Sequence, residues 1–139
     1  SNNLLGRFVK FGGWWPDYVI RLIKKSHLRG WSGQLHEQPV IDGEMGYMTN
    51  PILHYSHRSL KEMVSKTNQW SEIESQLLLD SKHPPMNTIR FFSAGFREFW
   101  HRGIAKKGFL DGATGIIEII YQTFSKLITY IKLWEKQTT

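Results

Sequence analysis

A tryptophan-rich turn carries the first group of residues suited to chemistry. Trp14 and Trp15 follow two glycines and precede Pro16 and Asp17, and Arg21 lies four residues after this acid. Tryptophan faces stack on sugar rings, a carboxylate can accept a hydroxyl proton, and an arginine can bind a phosphate with two hydrogen bonds. The same residues also fit a turn with two core tryptophans and a surface ion pair. Spacing alone favours this second interpretation.

Glu37 and three histidines form the second candidate group. Glu37 ends a strand-like segment beside His36, where a carboxylate can deprotonate a hydroxyl, although acids at strand ends are more often simply exposed. His54 lies between an apolar segment and a capped helix, where an imidazole can bind a divalent metal or a diphosphate. A single histidine more often makes only a structural hydrogen bond. No nearby pair of carboxylates completes a metal site with His54 and His57.

Composition excludes several classes of site. The chain has no cysteine, which rules out disulfides, thiolate zinc sites and a cysteine nucleophile. The GxSxG, HExxH, P-loop and GxGxxG motifs are absent. Lys and Arg number 18 against 12 Asp and Glu in 139 residues, a surplus that suits nucleic acid, anionic lipid headgroups or nucleotide diphosphates. Aromatic residues make up 14% of the chain, which fits a surface that meets sugars or a membrane interface.

The elements that must position these residues fall into two parts. Up to residue 58 the pattern is β-like, with apolar runs at 7–11, 18–23, 34–37 and 52–55 and a turn at Asp42-Gly43. We expect residues 1–3 to carry no fold information. Ser59 and Glu62 then form a capping box that begins a helix over about 60–79. Pro84-Pro85 interrupts the chain, and two more helices are predicted over about 88–106 and 113–135.

The last two predicted helices are amphipathic. Phenylalanine and tryptophan accompany five cations over residues 88–107, a composition typical of helices that lie in the headgroup plane of a membrane. An ordinary core face with solvated cations explains the same pattern. Glu118 and Lys126 interrupt the final helix, so no uncharged run approaches the roughly 20 residues that cross a bilayer. Asp111 precedes this helix and is interpreted as its N-cap, with a substrate contact as the less favoured alternative.

Four segments, taken in order, resemble the second half of family 2 glycosyltransferases, most closely the lipopolysaccharide-core β-glucosyltransferase type. The resemblance extends from about residue 7 to residue 135. The segments are Gly-Gly-Trp-Trp-Pro-Asp-Tyr-Val-Ile-Arg-Leu (12–22), Trp-Ser-Gly-Gln-Leu-His-Glu (31–37), His-Tyr-Ser-His-Arg-Ser-Leu (54–60) and Lys-Gly-Phe-Leu-Asp-Gly (107–112).

The resemblance implies a GT-A fold in which a donor-binding α/β half precedes this chain. That half normally carries an Asp-x-Asp motif for Mg²⁺ or Mn²⁺, and the motif is absent here. We therefore expect the divalent metal to be held mostly by a missing N-terminal portion, and the chain alone to be inactive. By analogy with inverting relatives, Glu37 is the first choice for the general base and Asp17 the second, while His54 would bind the metal. Substrate-binding roles would fall to seven residues: Trp14, Trp15, Arg21, Trp31, His36, Tyr55 and Arg58.

The combined prediction is an α+β fold, a small β-sheet remnant of a GT-A core followed by three helices, the last two amphipathic. Residues 1–58 would be the acceptor-side β-rich part, 59–107 a helical pair, and 108–139 a C-terminal amphipathic helix and membrane-surface candidate. The function would be hexosyl transfer, with inversion, from a nucleotide-sugar donor to a glycan or lipid-linked acceptor in cell-envelope polysaccharide synthesis. The enzyme would be peripheral, at the cytoplasmic face of an anionic membrane. The alternative is a non-enzymatic basic module that binds membranes or nucleic acid; nucleic acid is not expected as a partner, because most cations lie on the predicted helices.

Overall fold

The computed structural model describes residues 1–33 and 37–139. It confirms the predicted fold class, because small sheets precede three helices in a mixed α+β arrangement. The strands are β1 (Asn2–Leu4), β2 (Arg7–Val9), β3 (Leu28–Ser32), β4 (Gln38–Ile41) and β5 (His54–His57), and the helices are α1 (Leu60–Asp80), α2 (Thr88–Trp100) and α3 (Gly112–Thr138).

The first sheet is built around the very start of the chain. β1 lies between β2 and β5, antiparallel to the former and parallel to the latter, with Asn2 opposite His54 in the register. Asn2, Asn3 and Leu4 are all buried. The expectation that residues 1–3 carry no fold information is therefore wrong. Asn2–Leu4 form the central strand because their backbone hydrogen-bonding groups pair with β2 on one side and β5 on the other.

The second sheet is a hairpin of β3 and β4, and it differs from the predicted strands. Residues 18–23 form no strand, because in the described part of the chain no other strand pairs with them and a strand needs such a partner. The predicted segment 34–37 falls largely on residues 34–36, outside the described residues, and β4 begins after Glu37. The predicted turn at Asp42-Gly43 follows β4, but no strand comes directly after it, since the next one is β5.

Local capping and proline signals predict the helices well. The Ser59 hydroxyl accepts a hydrogen bond from the Glu62 amide at 3.2 Å, whereas the Glu62 side chain pairs with Lys66 at 2.9 Å instead of returning to the cap. α2 begins after Asn87, whose side chain accepts from the Arg90 amide at 3.0 Å. A π-helical turn (His101–Ala105) extends α2, and a 3₁₀ turn (Gly108–Asp111) leads into α3.

α1 and α2 both pack against α3, in different ways. Met86 and Ala94 pack with Tyr130 and Leu133 in an apolar cluster between α2 and α3. The interface of α1 with α3 is largely polar, and its buried residues include Thr67, Ser71, Ser75 and Thr129. Much of the apolar surface of α2 and α3 therefore has no place in the core and lies outside.

Candidate functional site

Asn2 joins two of the predicted site residues. This side chain is 2% exposed. Its Nδ2 donates to the carbonyl oxygen of Trp14 at 2.9 Å and to Oδ2 of Asp17 at 3.4 Å. Its Oδ1 contacts Nδ1 of His54 at 2.9 Å. The tryptophan-rich turn and the start of β5 therefore meet at one carboxamide, which brings the Asp17 carboxylate and the His54 imidazole to the same end of the sheet.

The hydrogen bonds of Asn2 assign the tautomer of His54. The Nδ2 of Asn2 faces a carbonyl oxygen, which only accepts, so the orientation of the carboxamide is fixed. Its Oδ1 must then accept from His54, and the proton of a neutral imidazole lies on Nδ1. Nε2 is left with its lone pair. Because His54 is exposed, this nitrogen can bind a cation or accept a proton from a ligand.

Asp111 anchors the chain just before the tryptophan-rich turn. Its carboxylate accepts hydrogen bonds from the Lys10 amide at 3.0 Å and from the Phe11 amide at 2.8 Å. Asp111 does occupy the N-cap position of α3, but its side chain makes no capping hydrogen bond there. The prediction that the Asp111 side chain caps α3 is therefore wrong. The amides of two residues distant in sequence donate to its carboxylate instead.

Arg102 holds the glycine pair of the turn from the other side. Its Nη1 donates to the carbonyl oxygen of Gly12 at 3.2 Å, and its guanidinium lies 5.9 Å from the ring centroid of Trp14. Glu98 pairs with Arg102 at 2.5 Å and fixes its direction. The Gly12 amide donates to the carbonyl oxygen of Lys106 at 2.9 Å. At Gly12 the backbone has φ +66, a conformation that glycine adopts without strain.

His57 and Glu118 connect this sheet to α3. Nδ1 of His57 lies 2.9 Å from Oε1 of Glu118, whose side chain is only 3% exposed. Gln122 donates to the second carboxylate oxygen at 3.3 Å. The His57 ring lies edge-on to Trp14 at 5.7 Å and to Tyr121 at 5.8 Å. A buried carboxylate is tolerated here because it has two hydrogen-bonding partners.

Tyr121 extends the connection to α1. Its hydroxyl donates to the carbonyl oxygen of Met63 at 2.5 Å and also contacts the hydroxyl of Thr67. Burial raises the pKa of Tyr121, and the charge of Glu118 acts in the same direction, while the contact with Thr67 opposes them. The phenol therefore stays protonated and serves as a structural link between α1 and α3.

The other predicted site residues are not all brought together. Trp15 and Tyr55 are 47% and 56% exposed. Each directly follows a residue of the cluster in sequence, Trp14 and His54 respectively. Arg21 and Arg58 are exposed as well.

Trp31 lies on β3 of the separate β3–β4 hairpin, and Glu37 directly precedes β4. Among the described residues, no hydrogen bond or ion pair links Glu37 to Asp17, His54 or Arg21. His36 lies outside the described residues.

Three residues of the cluster were not identified from the sequence as site residues: Asn2, Arg102 and Glu118. For Glu118 a signal existed, since a lone acid inside an apolar helical stripe requires a partner if it is buried. For Asn2 nothing in the local pattern distinguishes it from any polar residue near the start of a chain.

Residues 1–33 and 37–139 contain no group of three or more His, Asp or Glu side chains that could hold a metal ion. His54 can supply one ligand, so its predicted metal role fits only if further ligands come from elsewhere. Within the same described residues, no helix combines the length and apolar character needed to cross a bilayer.

No protein-family model matches the chain, and no solved structure matches it.

Proposed function

We propose that the chain is the C-terminal portion of an inverting glycosyltransferase. It would move a hexosyl group from a nucleotide-sugar donor to a glycan or lipid-linked acceptor in cell-envelope polysaccharide synthesis. One observation supports this most strongly: three of the four segments that carry the resemblance to family 2 glycosyltransferases contact one another. Asn2 and the contact of the Trp14 ring with His57 join the 12–22 segment to the 54–60 segment. Gly12 lies close to Gly108 of the 107–112 segment, since a Cβ added at Gly12 would lie 3.6 Å from the Gly108 Cα.

Asp17 is the better placed of the two candidate bases. Its Oδ2 receives the Asn2 hydrogen bond, which leaves Oδ1 free to face an acceptor hydroxyl. In this proposal Oδ1 takes the hydroxyl proton as the acceptor oxygen bonds to the anomeric carbon from the side opposite the leaving group. The bond from the anomeric carbon to the diphosphate breaks, and the configuration inverts. Glu37 is kept as the rival base, because the 31–37 segment also belongs to the resemblance.

The departing diphosphate needs positive charge around it. Arg21 and Arg58 are exposed and would supply two guanidiniums. His54 would offer Nε2 to a divalent cation, Mg²⁺ or Mn²⁺, whose other ligands would come from the donor-binding half. When bound, such a cation stabilises negative charge that develops on the leaving group.

The three tryptophans would have different roles. Trp14 packs against Arg102 and His57 and would support the turn from inside. Trp15, which precedes the candidate base by two positions, is half exposed and available to stack on an acceptor sugar, as is Tyr55. Trp31 is 60% exposed on the hairpin, and would reach the acceptor only if the hairpin lies over the cluster in the complete enzyme.

The experiment measures sugar transfer by the complete enzyme that contains this chain. We expect Asp17→Asn to lower kcat by about 10²- to 10⁴-fold, as removal of a general base does, with little change in donor KM. Asn2→Ala should lower kcat less and weaken activation by Mn²⁺, because His54 loses the group that orients it. Asp42→Asn is the matched control, since this exposed carboxylate pairs only with Arg29 among the described residues.

The outcomes distinguish the hypotheses. Loss of turnover in Glu37→Gln but not in Asp17→Asn would transfer the role of base to Glu37. Wild-type turnover in both variants would refute the site. If the complete protein binds vesicles or nucleic acid but transfers no sugar from any nucleotide donor, the non-enzymatic alternative is correct.

A further inference from the structure

The apolar side of α2 faces away from the core. Phe92 and Phe96 are 76% and 65% exposed, and Phe99 is 47% exposed. The buried residue of this helix, Ala94, lies on the opposite side, where it packs against α3. Single exposed apolar residues are ordinary on a protein surface, but a row of large aromatic side chains along one helix indicates a binding surface.

α3 carries a second exposed apolar row that adjoins the first. Ile120, Phe124 and Ile131 are 60%, 43% and 48% exposed. The two helices approach closely at Gly95, where an added Cβ would lie 3.3 Å from Cδ2 of Leu127.

Helical spacing indicates that the two rows lie beside each other along this contact. Phe92 and Phe99 lie three residues before and four residues after Gly95, and Phe124 and Ile131 have the same spacing from Leu127. Residues so spaced share one side of a helix. The six side chains Phe92, Phe96, Phe99, Ile120, Phe124 and Ile131 therefore form one surface, called here the α2/α3 apolar face.

Cations accompany this face. Arg97 lies between Phe96 and Phe99 in sequence and is exposed, while Lys106 and Lys107 follow the π-helical turn. In the described chain, none of these three cations is paired with a carboxylate. The lysines on the α1 side of α3 are different, since Lys132 and Lys136 both pair with Glu72. Arg90 of α2 likewise has no carboxylate partner in the described chain and donates to the carbonyl oxygen of Pro85. Four cations without a carboxylate partner therefore lie on and just beyond the helix that carries the exposed aromatic row.

We propose that the α2/α3 apolar face docks on an anionic phospholipid bilayer, with α2 and α3 lying in the plane of the headgroups. The aromatic and aliphatic side chains would enter the boundary of the acyl chains, and the long side chains of Arg97, Lys106 and Lys107 would extend to lipid phosphates. No helix needs to cross the bilayer for this mode of attachment. The inference concerns a different surface from the candidate site and stands without the proposed function.

Vesicle co-sedimentation of the 139-residue chain tests the inference. We expect binding to vesicles that contain about one third phosphatidylglycerol and much weaker binding to pure phosphatidylcholine, because each cation near an anionic surface contributes roughly a fivefold gain in affinity. The double variant Phe92→Ser/Phe96→Ser should lose at least about tenfold in affinity, since both side chains are removed from the acyl boundary. The control is Leu22→Ser/Tyr47→Ser, whose side chains are at least as exposed but lie outside the helices.

Neutralising the cations separates the two contributions. Arg97→Gln/Lys106→Gln/Lys107→Gln should weaken binding to anionic vesicles by up to about 100-fold and leave the weak binding to neutral vesicles unchanged. Lys24→Gln/Lys25→Gln/Lys61→Gln removes the same net charge from exposed lysines elsewhere and should have a much smaller effect.

Three results would overturn the proposal. The first is equal loss of vesicle binding in the two triple variants, which would mean that only net charge matters. The second is a dimer in analytical ultracentrifugation that Phe92→Ser/Phe96→Ser dissociates, with no vesicle binding by the parent chain, since the face would then join two copies. The third is absence of vesicle binding together with salt-dependent binding of a nucleic acid oligomer.

Discussion

The buried pair of His57 and Glu118 should couple strongly in a double-mutant cycle. Glu118 is 3% exposed and His57 15%, so their contact at 2.9 Å is almost free of solvent. Among the described residues, His57→Leu would leave the carboxylate with Gln122 as its remaining side-chain partner. Removing a hydrogen-bonding partner from a buried carboxylate costs about 3 kcal/mol, a large part of the roughly 5–15 kcal/mol by which a domain is stable.

Removal of the acid should cost less. Glu118→Leu takes away the group that is expensive to bury and leaves His57, which is less deeply buried and lies near water, at a cost of about 1–3 kcal/mol. The double variant should be about as stable as Glu118→Leu alone. The coupling energy then equals the cost of His57→Leu, about 3 kcal/mol, well above the roughly 0.5 kcal/mol within which independent sites add.

Urea unfolding at pH 7, followed by far-UV circular dichroism, measures the cycle. The exposed pair of Arg29 and Asp42, with side chains 61% and 65% exposed, is the control and should couple by less than about 1 kcal/mol. Additive effects of the two substitutions at His57 and Glu118 would refute the view that this pair fastens the sheet to α3. A changed m-value in one of the variants would show instead that the surface exposed on unfolding differs between that variant and the parent protein.

Two further changes test the packing around this pair. Gly115→Ala should destabilise the protein by about 3 kcal/mol or more in the same urea assay, because the added Cβ would overlap the carbonyl oxygen of Gly108. Gly46→Ala is the control. It should change the stability by less than about 0.5 kcal/mol, because the space around Gly46 is open. Tyr121→Phe tests the raised pKa of the phenol. Because the folded protein holds this proton more tightly than the unfolded chain, the stabilisation is complete below about pH 10 and is lost as pH rises through the folded pKa. Wild-type stability should therefore fall more steeply than that of Tyr121→Phe above pH 10, and equal slopes would contradict the assignment.

The helices could be predicted from the sequence because their ends are set locally. Ser59 caps α1 with its own hydroxyl, and Asn87 and the two prolines before it define the start of α2. The direction in which each helix buries its side chains was harder to predict. An apolar stripe predicts that a helix is amphipathic, but the close contact at Gly95 decides which side of α2 meets α3.

The strands and the site depend on distant partners and were predicted less well. Residues 18–23 are apolar and extended in pattern, yet a strand forms only where another strand is available. Asn2 gains its importance from two segments that lie 12 and 52 positions away. Asp17 and His54 could be selected from residue type and context, whereas the carboxamide that joins them could not, because no periodic pattern relates the three.

The contact of Asp111 with the Lys10 and Phe11 amides also bears on how the molecule acquires its structure during synthesis. The partners are separated by 100 positions or more, so the residues just before the tryptophan-rich turn lack this anchor until most of the chain has left the ribosome. Closing so long a loop is entropically costly and comes late, whereas α2 and α3 can pair across a short connection. The tryptophan-rich turn should therefore be the last part to become protected against hydrogen exchange, and the first to suffer when translation stops early.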